Sequence, residues 1–360
     1  MNVGIWQVPL DLPAAEPQGR PSGIGRVVSA SRRTDIPAWY ARWFMERVRQ
    51  GFCEWVNPFS GQRRRVSLRP EDVAAFVFWT RNPAPLLPHL PELQRLGYTF
   101  YFHFTLNAYP RTLEPHSPPV ELSVRRFREL ADRIGPHRLF WRYDPIVLGQ
   151  GGELRLDAAY HLRRFQQLAR SLAGATGRCY TSFVSLYRKT ASRLRACDFA
   201  ASAAPGEPER RELARQMAEL AAQFGIAVYA CCDDALVDCP ACRPSPGSPP
   251  TSVDARARGP ICKPGVARAG EAALRVCAPG PHVHKARCVD PAVLESLREG
   301  LGRQLAARPT REQCGCFESV DIGAYDTCLF GCVYCYATRS DALARARYRA
   351  QRPTSPVLAP

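Results

Sequence analysis

The sequence predicts an α/β protein built on a parallel sheet, in the form of a full or partial β/α barrel. Two observations support this fold class. Short apolar segments rich in β-branched and aromatic residues alternate along the chain with amphipathic, helix-type segments, which is typical of parallel strands covered by helices. Seven such strands occur without the glycine-rich fingerprint of a dinucleotide-binding sheet, and this favours a barrel over a doubly wound sheet.

The predicted elements follow one another as strand, helix and strand. The predicted strands are 26–31, 74–79, 99–106, 138–143, 179–186, 226–232 and 319–325. The predicted helices are 37–50, 123–134, 157–172, 209–224 and, after the last strand, 340–351.

We predict one domain that is interrupted by one insertion. The barrel domain spans residues 26–237 and 282–340, after an N-terminal extension of residues 1–25 and before a helix and tail over residues 341–360. Residues 238–281 are rich in Pro, Gly, Ala and Arg and lack periodicity, so we interpret them as an inserted, partly disordered loop. Its four cysteines either hold zinc or are incidental thiols, and their spacing favours the second interpretation. They are Cys239, Cys242, Cys262 and Cys277.

The composition indicates a cytoplasmic protein without a membrane span. No apolar run is long enough to cross a membrane, and the first residues lack the basic start and apolar core of a secretory signal. In the cytoplasm, the fifteen cysteines are expected to be metal ligands or buried thiols rather than disulfides. The net charge of +16 suits a nucleic acid or another polyanion, although the near absence of lysine also fits a coding bias toward arginine.

Polar side chains follow nearly every predicted strand. Because β/α barrels carry their chemistry where the strands end, we expect these groups to line one polar cavity, with helix capping as the alternative explanation for part of them. The strand-end residues are Ser31, Arg32, Arg33, Thr34, Asp35, Thr80, Arg81, Asn82, Thr105, Asn107, Arg142, Asp144, Ser185, Tyr187, Lys189, Asp233 and Asp234. The predicted catalytic residues among them are Arg32, Asp35, Arg142, Asp144 and Lys189.

The densest chemistry lies in TCLFGCVYCYAT, residues 327–338, which we call the cysteine loop. Its Cys328, Cys332 and Cys335 are spaced C-x3-C-x2-C directly after the last predicted strand. Three thiolates from one loop can ligate three corners of a cubane iron–sulfur cluster. A structural zinc or a simple electron-transfer cluster normally takes four protein ligands. The spacing therefore predicts a [4Fe–4S] cluster with one iron open to a small molecule.

At these residues the chain resembles the radical S-adenosylmethionine (SAM) superfamily, whose motif is C-x3-C-x2-C with an aromatic residue before the last cysteine, here Tyr334. Tyr336 completes YCY, which is similar to the version found in spore photoproduct lyase and related DNA-repair-type members. The segments SASRRTDIPAWY, FWTRNP, WRYDPI and SVDIGAYDTC resemble an uncharacterised bacterial family with such a cluster at its C-terminus. The resemblance covers about residues 27–340 apart from the insertion, and it implies an iron–sulfur cluster but no established substrate.

The resemblance also implies a circularly permuted barrel. In ordinary radical SAM barrels the cysteine loop follows the first strand, whereas here it follows the last. If 319–325 takes the first-strand position, 26–31 becomes its neighbour, and SAM would bind beside Ser29, Ser31 and Tyr334. An electron donor such as flavodoxin or ferredoxin is then an expected partner. The glycine-rich SAM-binding stretch is not identifiable, because Gly151-Gly152-Glu153 follows the wrong strand.

The remaining cysteines allow a second cluster. Four ligands drawn from near strand ends could hold a second, fully protein-ligated iron–sulfur cluster, and buried thiols are the equal alternative. These residues are Cys231, which is followed by Cys232, and Cys288, Cys314 and Cys316. We assign Cys53, Cys179 and Cys197 to packing.

Two classes of function remain open at this point. The first is a radical SAM enzyme that acts on nucleic acid or another anionic substrate. The second is a non-enzymatic, basic nucleic-acid-binding protein whose cysteines hold iron or zinc. The missing fourth ligand favours the first, and the unidentified glycine-rich stretch favours the second. A metal-independent barrel hydrolase using Asp35 and Asp144 would leave the cysteine loop without a role.

Overall fold

The computed structural model describes residues 25–58, 60–201, 206–239, 280–302 and 305–359. Its strands are β1 (Arg26–Ala30), β2 (Phe52–Val56), β3 (Arg63–Ser67), β4 (Val73–Thr80), β5 (Phe100–Thr105), β6 (Leu139–Ile146), β7 (Gly149–Gly151), β8 (Leu154–Leu156), β9 (Arg178–Phe183), β10 (Ala200–Ala201), β11 (Ala227–Ala230), β12 (Val283–Lys285) and β13 (Val320–Asp321). Its helices are α1 (Ile36–Trp39), α2 (Ala41–Gln50), α3 (Leu90–Arg95), α4 (Val120–Ile134), α5 (Ala158–Leu172), α6 (Arg188–Ala196), α7 (Glu207–Ala222), α8 (Pro291–Leu297) and α9 (Asp341–Ala350).

Eight of these strands form one sheet in the order β12-β11-β9-β6-β5-β4-β1-β13. Every neighbouring pair in it is parallel. The predicted α/β class with a parallel sheet is therefore confirmed. No pairing among the described residues joins β12 to β13, so a closed barrel is not shown, while a partial α/β barrel is compatible with this sheet.

The strand predicted at 319–325 lies beside β1, as expected. Val28 pairs with Val320 and Ser29 pairs with Asp321. Only two residues of the predicted strand are regular, and the following residues turn away from the sheet into the cysteine loop. The C-terminal cysteines are thereby brought next to the loop that follows β1.

The sheet is buried on both faces, which explains its continuously apolar strands. Along β4, Phe76 and Phe78 pack in the core formed with the helices, whereas Val77 packs in a second core on the opposite face. Successive strand residues point to opposite faces. The second core includes Val293 and Leu301, from the segment that follows β12. This segment, which contains α8, covers the face of the sheet opposite the other helices of the core.

Helix boundaries follow capping residues. Asp157 begins α5 by accepting a hydrogen bond from the Tyr160 N–H at 2.8 Å, and Ser340 begins α9 by accepting one from the Leu343 N–H at 3.3 Å. Gly51 ends α2 in the left-handed region, at φ 76°, where a side chain would be strained.

Several elements were not predicted from the sequence. The β2–β3 hairpin, β12, the small antiparallel sheet of β7, β8 and β10, and the helices α3, α6 and α8 are additional. The extension of residues 1–24, most of the predicted insertion and its Cys242, Cys262 and Cys277 lie outside the described residues. Cys239 is described and buried. Along the described ranges, each helix is too short or too polar to cross a membrane.

Phe78 is central to the helix-side core, and its removal should weaken the fold. The ring is fully buried and lies 4.7 Å from Phe102 and 5.3 Å from Phe44, centroid to centroid. We expect Phe78→Ala to lower the free energy of unfolding by about 3–5 kcal/mol because it leaves a cavity. Urea unfolding followed by circular dichroism measures the change. Leu186→Ala, at an exposed position, is the control, and a loss below about 1 kcal/mol for Phe78→Ala would contradict this description of the core.

Candidate functional site

A cavity of ≈ 770 Å³ opens at the carboxyl ends of the parallel strands. Ser31 after β1, Thr80 at the end of β4, Asp144 near the end of β6 and Cys231 after β11 all border it. The β2–β3 hairpin adds Trp55 and other groups on one side. This is the edge where β/α barrels and open α/β sheets bind their ligands.

The structure brings most of the predicted strand-end residues together at this cavity. Asn82, Asn107, Lys189, Asp233 and Asp234 do not border it. The predicted residues that do are Ser31, Arg32, Arg33, Thr34, Asp35, Thr80, Arg81, Thr105, Arg142, Asp144, Ser185 and Tyr187.

The Asp321 carboxylate organises the junction between β13 and β1. It accepts hydrogen bonds from Ser31 Oγ at 2.7 Å and from the Arg32 N–H at 2.8 Å, and it pairs with Arg33 Nη2 at 3.0 Å. Burial alone would raise the Asp321 pKa, but the Arg33 charge and these donors outweigh burial and hold the pKa below its usual range. Ser29, predicted to bind cofactor, also donates to Asp321, at 2.9 Å.

Arg142 and Asp144 face the cavity as an ion pair, with Nη2 and Oδ2 2.5 Å apart. Ser182 Oγ donates to the other carboxylate oxygen of Asp144, and Asn107 accepts a hydrogen bond from the Asp144 N–H at 2.7 Å. The second guanidinium arm of Arg142 lies 3.2 Å from Cys288 Sγ. The pair therefore links the end of β6 to one of the cysteines predicted for a second cluster.

Asp35 acts as a helix cap as well as a cavity residue. Its Oδ1 accepts the Ala38 N–H at 3.0 Å at the start of α1, and its Oδ2 accepts the Arg81 N–H at 2.6 Å. Burial raises the pKa of Asp35 to about 7, against the opposing effect of these N–H donors. The capping alternative thus holds for this residue, and its predicted catalytic role stays a prediction.

The three thiols of the cysteine loop all border the cavity. Gly331, at φ 66°, lets the chain turn between Cys328 and Cys332, and a Cβ there would meet the Asp341 carboxylate at 3.0 Å. The Cys335 sulfur accepts the Ala337 N–H at 3.3 Å. Burial raises the pKa of Cys332 to about 12 and raises that of Cys328 further. With their pKa values raised, Cys328 and Cys332 are neutral thiols at pH 7 when no metal is bound.

Tyr334 fixes the middle of the cysteine loop rather than standing free. Its hydroxyl accepts a hydrogen bond from Arg81 Nη2 at 2.7 Å and one from Asn107 Nδ2 at 3.1 Å, and it donates to Glu114. Arg81 and Glu114 form an ion pair at 2.9 Å. Tyr336 donates to the Arg32 carbonyl at 3.0 Å, which connects the loop to the segment after β1.

Lys189 lies in α6 and outside the cavity. Its ammonium donates to the Tyr336 carbonyl, and burial lowers its pKa. Arg193, one turn further along α6, donates to the carbonyls of Cys335 and Thr338. The two cations hold the backbone of the cysteine loop, and the predicted catalytic role of Lys189 stays a prediction.

The cysteines predicted for a second cluster lie side by side. Cys231 Sγ is 3.8 Å from Cys288 Sγ, and Cys316 lies in contact with both Cys288 and Cys314. The structure adds Cys232, whose Sγ is 3.6 Å from that of Cys231. Hydrogen bonding between neighbouring thiols lowers the pKa of Cys231 and raises that of Cys288.

The described cysteines are all free. Among the residues that the structure describes, no three His, Cys, Asp or Glu side chains already stand in metal-coordinating geometry. Cysteines nevertheless gather on two sides of one cavity. A donor set dominated by thiols suits soft metals and iron–sulfur clusters.

The cavity is cationic. The described part of its lining includes nine arginines and four carboxylates. Arg32 and Arg142 lie over the Trp79 ring at 5.1 Å and 5.3 Å, a contact that stabilises guanidinium groups through the ring's π-electrons. Such a lining favours an anionic ligand.

The parallel α/β sheet, with cysteine-rich loops at its carboxyl edge, gives the general class of the protein. Residues 27–244 and 266–337 match the family described as a domain of unknown function, DUF1848, and the chain belongs to that family. No curated protein matches the chain, and no solved structure matches it.

Three residues at the site were not assigned to it from the sequence. Asp321 carried a signal, since it interrupts an otherwise apolar strand segment. Cys232 was noted only as the neighbour of Cys231. Arg311, whose guanidinium interacts with Cys231 and Cys232, had no signal, because it sits in a segment without periodicity in an arginine-rich chain.

We expect Asp321→Asn to destabilise the protein by about 3 kcal/mol at pH 7, because it leaves the Arg33 charge without its partner. The Asp321 pKa is held low, so its stabilising effect is present above about pH 4, the pKa in the unfolded chain, and is lost as the pH falls through the folded pKa. The unfolding free energies of the wild type and of Asp321→Asn should therefore converge as the pH falls below about 4. Asp132→Asn, exposed on α4, is the matched control, and an equal loss at all pH values would contradict the assignment.

Proposed function

We propose that this protein is an iron–sulfur enzyme of the radical SAM type, with the cysteine loop as its cluster site. One observation carries the proposal: Cys328, Cys332 and Cys335 face one cavity from a single loop at the carboxyl edge of a parallel sheet. Three thiolates on a cubane leave one iron for a small chelating ligand. The C-x3-C-x2-C spacing supports the same assignment.

The residues present fit such a cluster. Cys332 is buried and Cys328 and Cys335 are partly buried, and metal binding, which deprotonates a coordinating thiol, is what would ionise them. The Ala337 N–H donates a hydrogen bond to the Cys335 sulfur. The positive charge of Arg81 opposes the rise in the Cys332 pKa that burial causes. Held by the thiolates of Cys328, Cys332 and Cys335, a reduced cluster would supply the electron for reductive cleavage of SAM and so the radical chemistry of the site.

The protein's own side chains would bind and shield the reactants. Ser31 and Arg32, at the end of β1, adjoin the cysteine loop through the Tyr336–Arg32 hydrogen bond and are proposed to contact SAM. Arg142 and Asp144 lie among the residues on the β6 side of the same cavity, where a substrate would be positioned. The β2–β3 hairpin on one side of the cavity would limit the access of bulk water, which protects a radical from quenching.

The parallel pairing of β13 with β1 supports a circularly permuted radical SAM barrel as the architecture behind this chemistry. Under the permutation, the cysteine loop follows the first strand of the barrel and the loop after β1 follows the second. An electron donor such as flavodoxin or ferredoxin would reduce the cluster.

We expect the iron-loaded, dithionite-reduced protein to convert SAM slowly to 5′-deoxyadenosine and methionine, even without substrate. Replacing any one of Cys328, Cys332 and Cys335 by Ala should abolish the reaction, since two thiolates do not hold the cluster. Chromatographic detection of deoxyadenosine under strict anaerobiosis measures it.

Cys197→Ala is the matched control, because Cys197 is exposed and outside the cavity, and its activity should equal that of the wild type. If a fully loaded, reduced protein forms no deoxyadenosine and its EPR signal ignores SAM, radical chemistry is excluded. The metal-binding, nucleic-acid-binding alternative would then take its place.

The arginine-lined cavity favours an anionic substrate, and nucleic acid is the candidate that the +16 charge supports. If this is correct, affinity for single-stranded DNA or RNA falls steeply with salt. Arg64→Ala with Arg65→Ala, at the cavity side of the hairpin, should then reduce the log–log salt slope by up to about 2. Arg125→Ala, exposed on α4, serves as the control. Absence of binding at low salt would identify a small anionic molecule instead.

A further inference from the structure

Five cysteines from three separate segments form a closed ring of sulfur atoms, which we call the thiol ring. Cys231 and Cys232 follow β11, Cys288 follows β12, and Cys314 and Cys316 precede β13. The Sγ distances are 3.6 Å for Cys231–Cys232 and 3.8 Å for Cys231–Cys288. Side-chain contacts of Cys232 with Cys314, Cys314 with Cys316, and Cys316 with Cys288 complete the ring.

The backbone is bent to put two consecutive thiols in this ring. Successive residues of a strand point to opposite faces, so Cys231 and Cys232 would ordinarily diverge. Cys232 instead adopts φ 55°, a left-handed conformation that non-glycine residues rarely adopt. Strain of this kind persists where the surrounding structure requires it.

The electrostatics of the ring do not suit ordinary packing of neutral thiols. Three guanidinium groups interact with it: Arg142 through Cys288 at 3.2 Å, Arg311 through Cys231 and Cys232, and Arg32 through Cys288, Cys314 and Cys316. Among the described residues, Asp144 pairs with Arg142 and also acts on Arg311, whereas the Asp321 charge that acts on Arg32 already pairs with Arg33. Arg32 Nη2 is buried, and no described residue accepts a hydrogen bond from it.

A metal–thiolate centre supplies the missing negative charge. Thiols with an ordinary pKa are neutral at pH 7, whereas metal-bound thiolates are ionised. Four thiolates on one divalent ion carry a net charge of about −2, and sulfurs on a tetrahedral ion with bonds of about 2.3 Å stand roughly 3.8 Å apart. The 3.8 Å between Cys231 Sγ and Cys288 Sγ, two of the ligands considered, lies at this spacing. In a cubane, where each thiolate binds a different iron, the sulfurs would have to move outward.

We propose that the thiol ring is a second metal centre, held by the four thiolates of Cys231, Cys288, Cys314 and Cys316, with Cys232 as a neighbouring fifth thiol. Its chemistry is that of an all-sulfur site for a thiophilic metal, either a single zinc-type ion or an iron–sulfur cluster. It faces the same cavity as the cysteine loop. It does not depend on SAM chemistry, because none of its ligands belongs to the cysteine loop, although Arg32 and Arg142 border both sites.

The test uses the full chain with Cys328→Ala, Cys332→Ala and Cys335→Ala, so that the cysteine loop binds nothing. One arm receives Co²⁺, a spectroscopic probe for zinc sites, and the other receives iron and sulfide anaerobically. We expect either one cobalt per chain with thiolate-to-cobalt charge transfer typical of four thiolates, or about four irons with equal sulfide. The first result identifies a single-ion site and the second identifies a cluster.

Adding Cys288→Ala to this protein should remove the bound metal, and adding Cys179→Ala, which is a buried thiol away from the ring, should not. Circular dichroism checks that each variant is folded. The cobalt spectrum of the ring-intact protein counts thiolate ligands without relying on the Cys288 variant. The proposal is overturned if the protein without the three cysteine-loop thiols binds neither cobalt nor iron. It is also overturned if adding Cys288→Ala leaves a folded protein with all of its metal. Because the three thiols of the cysteine loop are replaced in this protein, neither result bears on SAM cleavage.

Discussion

The arrangement of the site depends on the carboxylate of Asp321. Strand β13 has only two regular residues, too few for its backbone pairing alone to fix it at the sheet edge. The carboxylate compensates by binding Ser29, Ser31, the Arg32 N–H and Arg33 at once. A buried anion with this many donors has one position. The cysteine loop, which begins a few residues later, is held beside the end of β1 for that reason.

The remainder of the cysteine loop is fixed by contacts from several layers of the fold. The Tyr40 hydroxyl donates to the Thr327 carbonyl at 2.8 Å, the Val333 N–H donates to the Leu113 carbonyl at 3.0 Å, and Arg193 holds the far end. Rigid support of this kind is what a preorganised ligand set needs. Lys189 adds to this support through its hydrogen bond to the Tyr336 carbonyl.

The sequence could predict what local patterns encode. Apolar runs located seven strands of the sheet, and amphipathic periods located the helices that cover it, because burial on defined faces leaves a period in the sequence. The rule that strand ends converge placed Arg142 and Asp144 in the cavity. Other features arise from contacts between distant segments. They are the packing of residues after β12 on the second face of the sheet, the hydrogen bonds of Asp321 with the loop after β1, and the contact of Cys232 with the other thiols of the thiol ring. Such contacts leave no periodic trace, and the short strand β12 offers too few residues for a pattern.

The pairing of β13 with β1 also sets an order on how the site is made. These strands are separated by nearly the whole domain, so their contact closes a very long loop and is expected to form late in folding. Until then, the edge of β1 is unpaired, and the cavity lacks one wall and all three thiols of the cysteine loop. The thiols near β11 and β12 lie earlier in the chain, but Cys314 and Cys316 arrive with the segment that leads into β13. Under the proposed function, a metal would therefore be bound only by a chain whose sheet is already assembled, because only then do these thiols lie at one cavity.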